Sequence, residues 1–254
     1  MLLAIDAGNT QTVYGVWDGS QWRATWRRNT DGAETEDELA VWLRGLFELS
    51  GLEFKVDRVI AATVVPAIQS SVTRLAEKWL HAPLVFLETG EQVGLPVDYQ
   101  PKNAVGPDRI ANALGALRNH RGRPIIVVDF GTATTLDVVD REGVYVGGAI
   151  LPGIEVASSA LVGRTSRLPR FELKAPETAI GKTTVHSLQS GMMLGYAGAI
   201  DALAKKIDAE LGGNSVILAT GGLGAIFVDL CETIQGYDKT LTLDGLVVAA
   251  QKIF

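Results

Sequence analysis

Residues 125–137 read IIVVDFGTATTLD, and the fold turns on this stretch. A β-branched run (Ile125, Ile126, Val127, Val128) meets an acid, Asp129, and then a small-residue turn of Gly131, Thr132, Ala133, Thr134 and Thr135. Four consecutive apolar residues closed by turn formers predict a strand buried on both faces. A carboxylate at the end of such a strand sits where an α/β sheet opens to solvent and ligands bind. Gly131 lets a ligand approach the backbone, and threonine hydroxyls and turn amides can donate to phosphate oxygens. Ionised Asp129 cannot donate, so its natural partner is a cation or a water. Taken alone, the pattern also fits a plain connection between two strands.

A second copy lifts it. Residues 2–16 read LLAIDAGNTQTVYGV, with the same strand, acid, glycine and threonine in Asp6, Gly8 and Thr10. Each copy continues into apolar alternation, a polar hairpin turn (Asp18-Gly19-Ser20; Asp140-Arg141-Glu142-Gly143) and a third strand. A repeat of about half the chain implies a duplicated domain rather than a solenoid. The expectation is two phosphate-type turns facing each other across a cleft; the alternative is two unrelated hairpins. The arrangement resembles the actin and sugar-kinase superfamily, whose two ribonuclease-H-like domains hold ATP between them.

At 254 residues the chain has room for two ordinary domains. A hydrophobic content of 47% and a charged content of 20% indicate a globular protein with ample core. The formal charge of −6 argues against nucleic-acid and anionic-membrane partners. The single Cys231 excludes a disulfide framework and a multi-cysteine metal site. No signal peptide and no run of membrane-spanning length is visible, so a cytoplasmic location is expected.

Residues 35–50 place Leu39, Trp42, Leu43, Leu46 and Phe47 at helical spacing, with Thr35 and Glu38 as a capping box. A buried strand is expected at 58–65, a helix opened by Pro66 and a short strand at 84–87. This order, β-β-β-α-β-α-β, fits one ribonuclease-H-like domain. Residues 88–107 read as a functional loop, 109–120 as a small-residue helix. Gly122 and Pro124 put the boundary near residue 120, giving domains 1–120 and 121–254. A helix at 154–162, a long helix or helix pair at 184–211, a strand at 215–219 and a final helix at 243–253 complete the second domain.

Four constellations add chemistry. Thr220-Gly221-Gly222 follows an apolar strand, leaving room for a flat ring against backbone. In Gly106-Pro107-Asp108-Arg109, at a helix mouth, the carboxylate can take a proton from a hydroxyl while the guanidinium anchors an anion. Its structural alternative is a helix cap with a surface ion pair. Residues 147–153 (GGAILPG) need backbone closeness or form a bulged strand. Ile180-Gly181-Lys182-Thr183-Thr184 is not a P-loop, because Pro176 stands where that motif needs glycine and no buried strand precedes it. Thr183 or Thr184 as a helix N-cap fits better.

Together these motifs make the chain resemble the type III pantothenate kinases over essentially its whole length. The resemblance rests on D-x-G-N-T at 6–10, G-x-D-R at 106–109, D-F-G-T-A-T-T at 129–135, G-G-A-I-x-P-G at 147–153, I-G-K-x-T at 180–184 with Gln189-Ser190-Gly191, and A-T-G-G at 219–222. It implies an ATP phosphate loop of Asp6, Ala7, Gly8, Asn9, Thr10, Gln11, Thr12 and Val13, joined by Thr132, with Gly221 and Gly222 beside the adenosine. It further implies Asp108 as proton acceptor, and Tyr99, Gly106, Pro107, Asp108, Arg109 and Thr184 around pantothenate. Asp129 would hold potassium or ammonium, Mg²⁺ would arrive with ATP, and the assembly would be a homodimer insensitive to coenzyme A. Ala104 departs from the acidic residue often found there, and Pro101 is shifted from the usual Asn-Pro. The alternatives are a kinase of the same superfamily for another small acidic alcohol, and a non-catalytic nucleotide-binding regulatory protein. An intact Asp108 counts against the latter.

Overall fold

The computed structural model describes residues 1–254 and divides into two units, Met1–Arg118 with Leu241–Phe254, and Asn119–Thr240. In the first unit β1 (Leu2–Ala7), β2 (Gln11–Trp17) and β3 (Trp22–Asn29) form an antiparallel meander. The β2–β3 turn is the expected one. Asp18 accepts from the amides of Ser20 at 2.8 Å and Gln21 at 2.9 Å. The Gln21 and Ser20 amides hold its carboxyl down to about 2.

Next comes α1 (Glu36–Leu49), opened by the capping box. The Glu38 amide donates to Thr35 Oγ1 at 3.3 Å, and the Thr35 amide donates to the Glu38 carboxylate at 2.9 Å. Such a cap contributes about 1 kcal/mol. The helix buries Leu39, Ala40, Leu43 and Phe47, while Trp42 packs edge-on against Tyr14 at 5.1 Å, as core and not as a ligand platform. Then β4 (Arg58–Thr63) pairs parallel with β1, α2 (Pro66–Leu75) runs on through a π-type turn at Ala76–Leu80, and β5 (Leu84–Phe86) pairs parallel with β4. The sheet order is β3-β2-β1-β4-β5. Last in this stretch is α3 (Pro107–His120).

The second unit repeats the plan. Its meander is β6 (Ile125–Phe130), β7 (Ala133–Val139) and β8 (Tyr145–Pro152). The helices are α4 (Ile154–Gly163), α5 (Thr184–Gln189), a π-type turn at Ser190–Leu194 and α6 (Gly195–Glu210). Parallel to β6 runs β9 (Val216–Thr220), then α7 (Gly224–Phe227) and β10 (Gly236–Tyr237) beside β9. The order β8-β7-β6-β9-β10 matches the first sheet strand for strand. The duplication seen in two turns therefore extends to two ribonuclease-H-like sheets. Phe130 and Phe227 stack at 4.7 Å in this unit's core. Cys231 is buried there, and burial pushes its thiol up to about 12, so it is a packing residue and not a nucleophile.

The division differs from the expected 1–120 and 121–254 in one respect. The final helix, α8 (Leu241–Ile253), belongs to the first unit, where it packs on β1, β2 and β4. It also meets α3 at backbone distance: a Cβ on Gly245 would lie 1.8 Å from the Ala111 carbonyl oxygen, and one on Gly115 2.2 Å from that of Leu241. The Thr242 hydroxyl donates to Asn112 Oδ1 at 2.7 Å, and Trp22 Nε1 donates to Asp244 at 3.0 Å. Apolar periodicity shows that a helix has a face to bury, but not which sheet will bury it.

Gly245→Ala should therefore force α3 and α8 apart and lower stability by about 3 kcal/mol, a fall of roughly 6–10 °C in the thermal midpoint. Gly45→Ala in α1, whose added methyl meets nothing within 4 Å, should instead raise stability by about 0.5–1 kcal/mol. Calorimetric scans of both variants check the pair, and equal midpoints would contradict it.

Candidate active site

In the first unit β1 has an antiparallel neighbour on one side and a parallel one on the other. Asp6, half-buried near its C-terminal end, faces Val13 of β2 and Ala62 of β4 in register. Beyond it the chain turns tightly, the Gly8 amide donating to the Gln11 carbonyl at 3.0 Å. Asn9, Thr10 and Gln11 are exposed, Gly8 and Val13 half-buried. Ala7 and Thr12 are buried, and both serve the turn from beneath. The Ala7 carbonyl accepts from Thr63 Oγ1 at 3.2 Å, and the Thr12 hydroxyl lies 2.9 Å from that of Thr30.

The first turn of α3 carries Asp108 and Arg109. Asp108 Oδ1 accepts from the Arg109 amide at 2.9 Å, one of the amides of the helix's first turn. A Cβ on Gly106 would sit 2.5 Å from that oxygen, so the carboxylate would have to swing aside to admit one. Arg109, however, is only 7% exposed, which a surface ion pair would not require. Asp108 stays half-exposed and Tyr99 half-buried. The start of the 88–107 stretch is held by Gln92, whose Oε1 accepts from the Glu88 and Thr89 amides at 2.7 and 3.0 Å.

In the second unit Asp129 is in register with Thr135 of β7 and Thr220 of β9, the counterpart of Asp6. The Gly131 amide donates to the Ala133 carbonyl at 3.1 Å, and Gly131, Thr132 and Ala133 are exposed. Two further segments meet this turn. Gly221 has φ +86°, and a Cβ on it would lie 2.5 Å from Asp129 Oδ1 and 2.6 Å from the Phe130 carbonyl oxygen. The Tyr237 hydroxyl holds the Gly221 carbonyl at 3.1 Å. On the other side, a Cβ on Gly153 would lie 2.4 Å from the Gly131 oxygen and 2.3 Å from that of Thr132.

Both alternatives for residues 147–153 are thus realised at different places. The β7–β8 register shifts between Val138 and Val139 near Gly147 and Gly148, at φ +115° and +150°, and the close approach is made by Gly153. Tyr196 donates to the Pro152 carbonyl at 2.7 Å, and burial raises its pKa, keeping it a donor.

Residues 180–184 do not form a P-loop: no strand enters them. Thr183 caps α5, accepting from the His186 amide at 3.2 Å, and Gly181 lies so close beneath that a Cβ would be 2.4 Å from the Ser187 nitrogen. Thr184 is exposed at the helix start, and Gly222 is exposed with open space about it. Two polar residues escape sequence reading. Asp137, fully buried in β7, accepts from Thr135 at 3.0 Å and from the Tyr145 hydroxyl at 3.1 Å. Its only signal was an acid where apolar alternation calls for a core residue. Thr30, just past the end of β3, carries no local signal.

The sequence model of the family described as type III pantothenate kinase matches residues 2–206. A type III pantothenate kinase of Rhodospirillum rubrum is 44% identical over 250 residues, covering 98% of this chain and 97% of that protein. Among solved structures, a Campylobacter jejuni protein described as a Baf family transcriptional activator aligns with a TM-score of 0.62 at 21% identity, over 98% of this chain and 97% of that one. A Sinorhizobium meliloti protein described as a 2-dehydro-3-deoxygalactonokinase aligns with a TM-score of 0.57 at 14% identity, over 100% and 99% of the two chains. These structural likenesses establish the shared fold.

At the second turn, Gly221→Ala combines a left-handed backbone with a methyl driven into Asp129 and Phe130. It should cost about 1–3 kcal/mol. Gly222→Ala, one residue on and unobstructed, should stay within about 0.5 kcal/mol of wild type. Denaturant unfolding of the two variants side by side makes the comparison.

Proposed function

The chain belongs to the type III pantothenate kinase family, and on that premise we propose that it transfers the γ-phosphoryl group of ATP to the primary hydroxyl of pantothenate. The product is 4'-phosphopantothenate, in the first step of coenzyme A biosynthesis. The observation that carries this reading is Arg109, buried beside Asp108 in the first turn of α3. A buried guanidinium suits a planar, bidentate anion such as the pantothenate carboxylate. Tyr99, Gly106, Pro107 and Thr184 complete the set proposed for that substrate.

In the proposed reaction the pantothenate oxygen bonds to the γ-phosphorus as the bond to the bridging oxygen of ADP breaks. Asp108 takes the hydroxyl proton. Little covalent work is asked of the protein, since phosphoryl transfer is mainly positioning and charge neutralisation. The turns at Asp6–Val13 and Thr132 are assigned to the phosphates, and Gly221 and Gly222 to the adenosine.

The residues about Asp129 fit a monovalent cation. One carboxylate lies beside a run of backbone carbonyls, a hard-oxygen set of low charge, and no three His, Cys, Asp or Glu side chains converge as a polyvalent metal site. Potassium or ammonium held there would supply positive charge near the transferring group. Mg²⁺ is assigned to ATP itself, with Asp6 as an outer-sphere partner, in keeping with its preference for phosphates plus few carboxylates.

A homodimer is proposed with this reading, supported by the exposed apolar side chains Ile150, Val156 and Leu161 on β8 and α4. A cytoplasmic location is proposed as well; no helix is long and apolar enough to cross a membrane.

Turnover of pantothenate with ATP tests the assignment. Asp108→Asn should lower kcat by about 10²–10⁴ while MgATP still binds. Replacing potassium by sodium should depress the rate of wild type, and Arg109→Lys should raise KM for pantothenate more than KM for ATP. Full activity of Asp108→Asn would remove it as the base.

A further inference from the structure

The two acid turns are built alike but braced differently. In the second, the Gly153 amide donates to the Thr132 carbonyl at 3.0 Å. In the first, the matching main-chain bond runs from the Thr30 amide to the Thr10 carbonyl at 2.9 Å. The residue just past the third strand is thus Gly153 in one unit and Thr30 in the other.

Thr30 does more than its counterpart. Its hydroxyl donates to the Gly8 carbonyl at 2.7 Å and lies 2.9 Å from the Thr12 hydroxyl. A threonine hydroxyl has one proton. With that proton on Gly8, Thr12 must be the donor to Thr30. One residue therefore ties positions 8, 10 and 12 together, bracketing the exposed Asn9, Thr10 and Gln11.

The second unit shows that the fold does not require this. Thr134 occupies the place of Thr12, each facing the residue just after the acid (Phe130, Ala7) across the hairpin. Thr134 pairs with Leu151, and Gly153, which stands where Thr30 does, has no side chain to reach the Thr134 hydroxyl, whose neighbour is instead the Tyr196 hydroxyl. The Thr30 brace is an addition specific to the first turn.

Thr30 is itself held firmly. Arg28, two residues earlier, forms an ion pair with Glu34 and lies over the Trp42 ring at 4.9 Å. The Glu34 carbonyl accepts from Ser71 at 2.7 Å. The brace is thus anchored to α1 and α2 and not to a mobile strand end.

We infer that Thr30 is a positioning residue for the phosphoryl donor: its hydroxyl fixes the Gly8 carbonyl and so presents residues 9–11 to the phosphates of a nucleoside triphosphate. The inference rests on the assignment of residues 6–13 as the phosphate turn. Thr30 acts through this turn, so its loss should be felt by the nucleotide and not by the acceptor alcohol.

The test uses the full-length protein. MgATP affinity is measured by calorimetry, KM for both substrates by turnover, and folding by thermal midpoint. Thr30→Val should weaken MgATP binding about tenfold and leave KM for pantothenate within about twofold, and Thr30→Ser should restore affinity to within about twofold of wild type. MgATP affinity unchanged in Thr30→Val, equal losses for both substrates, or failure of serine to rescue would each overturn the proposal. Should Thr30→Val not fold, Thr30→Ala, which removes the same hydroxyl without putting a second methyl in its place, should weaken MgATP by about tenfold. Unchanged affinity there would overturn it equally. Wild type that binds MgATP without phosphorylating pantothenate would defeat the functional assignment while calorimetry still decides Thr30. Wild type that binds no MgATP would overturn both.

Discussion

Each sheet is governed by the same constraint at the C-terminal end of its central strand. There β1 and β6 have an antiparallel neighbour on one side and a parallel neighbour on the other. The antiparallel partner turns straight back, while the parallel partner continues into a helix. The backbone between them must bend away from both ladders, leaving amides and carbonyls that no strand pairs. An acid, a glycine and threonines gather at that point because they suit unpaired backbone and close ligand approach. Asp6 and Asp129 are the two results.

Crowding at the second turn shows how much the glycines contribute. Two chain segments, at residues 153 and 221, each come within backbone distance of residues 129–132, and no Cβ is tolerated at Gly153 or Gly221. Side chains could not supply so dense a set of oxygens. The same economy applies to the chemistry, since phosphoryl transfer needs placed charges more than reactive groups. The one cysteine is buried and inert, and the buried acid Asp137 is satisfied by hydroxyls within its own sheet.

The strand ends, the capping box at Thr35 and the G-x-D-R segment were legible in the sequence because each is a local pattern with a local cause. The duplication was legible because both copies keep the same order of acid, glycine and threonine. Glycine runs were legible only as a class. Residues 147–153 announced special backbone, yet only the fold distinguishes the positive-φ glycines at 147 and 148, beside the bulge, from a contact glycine at 153. Thr30 was not legible, since its partners at 8, 10 and 12 lie about twenty residues upstream and nothing nearby marks it. The short α7 and β10 fall below the length at which periodicity carries information. The destination of α8 depended on Gly115 and Gly245 meeting across more than a hundred residues of chain.

That last pairing bears on how the protein comes into being. A growing chain tends to fold unit by unit as it emerges. The residues of the second unit are contiguous, whereas the first is interrupted after Arg118 and resumes at Leu241. The unit encoded second is therefore the first able to finish. Until residues beyond 240 have emerged, α3 has no α8 to lie against, and Asp108 and Arg109 stand on an unsupported helix. Birth order and completion order are reversed, and the first unit stays open until residues beyond 240 have been made.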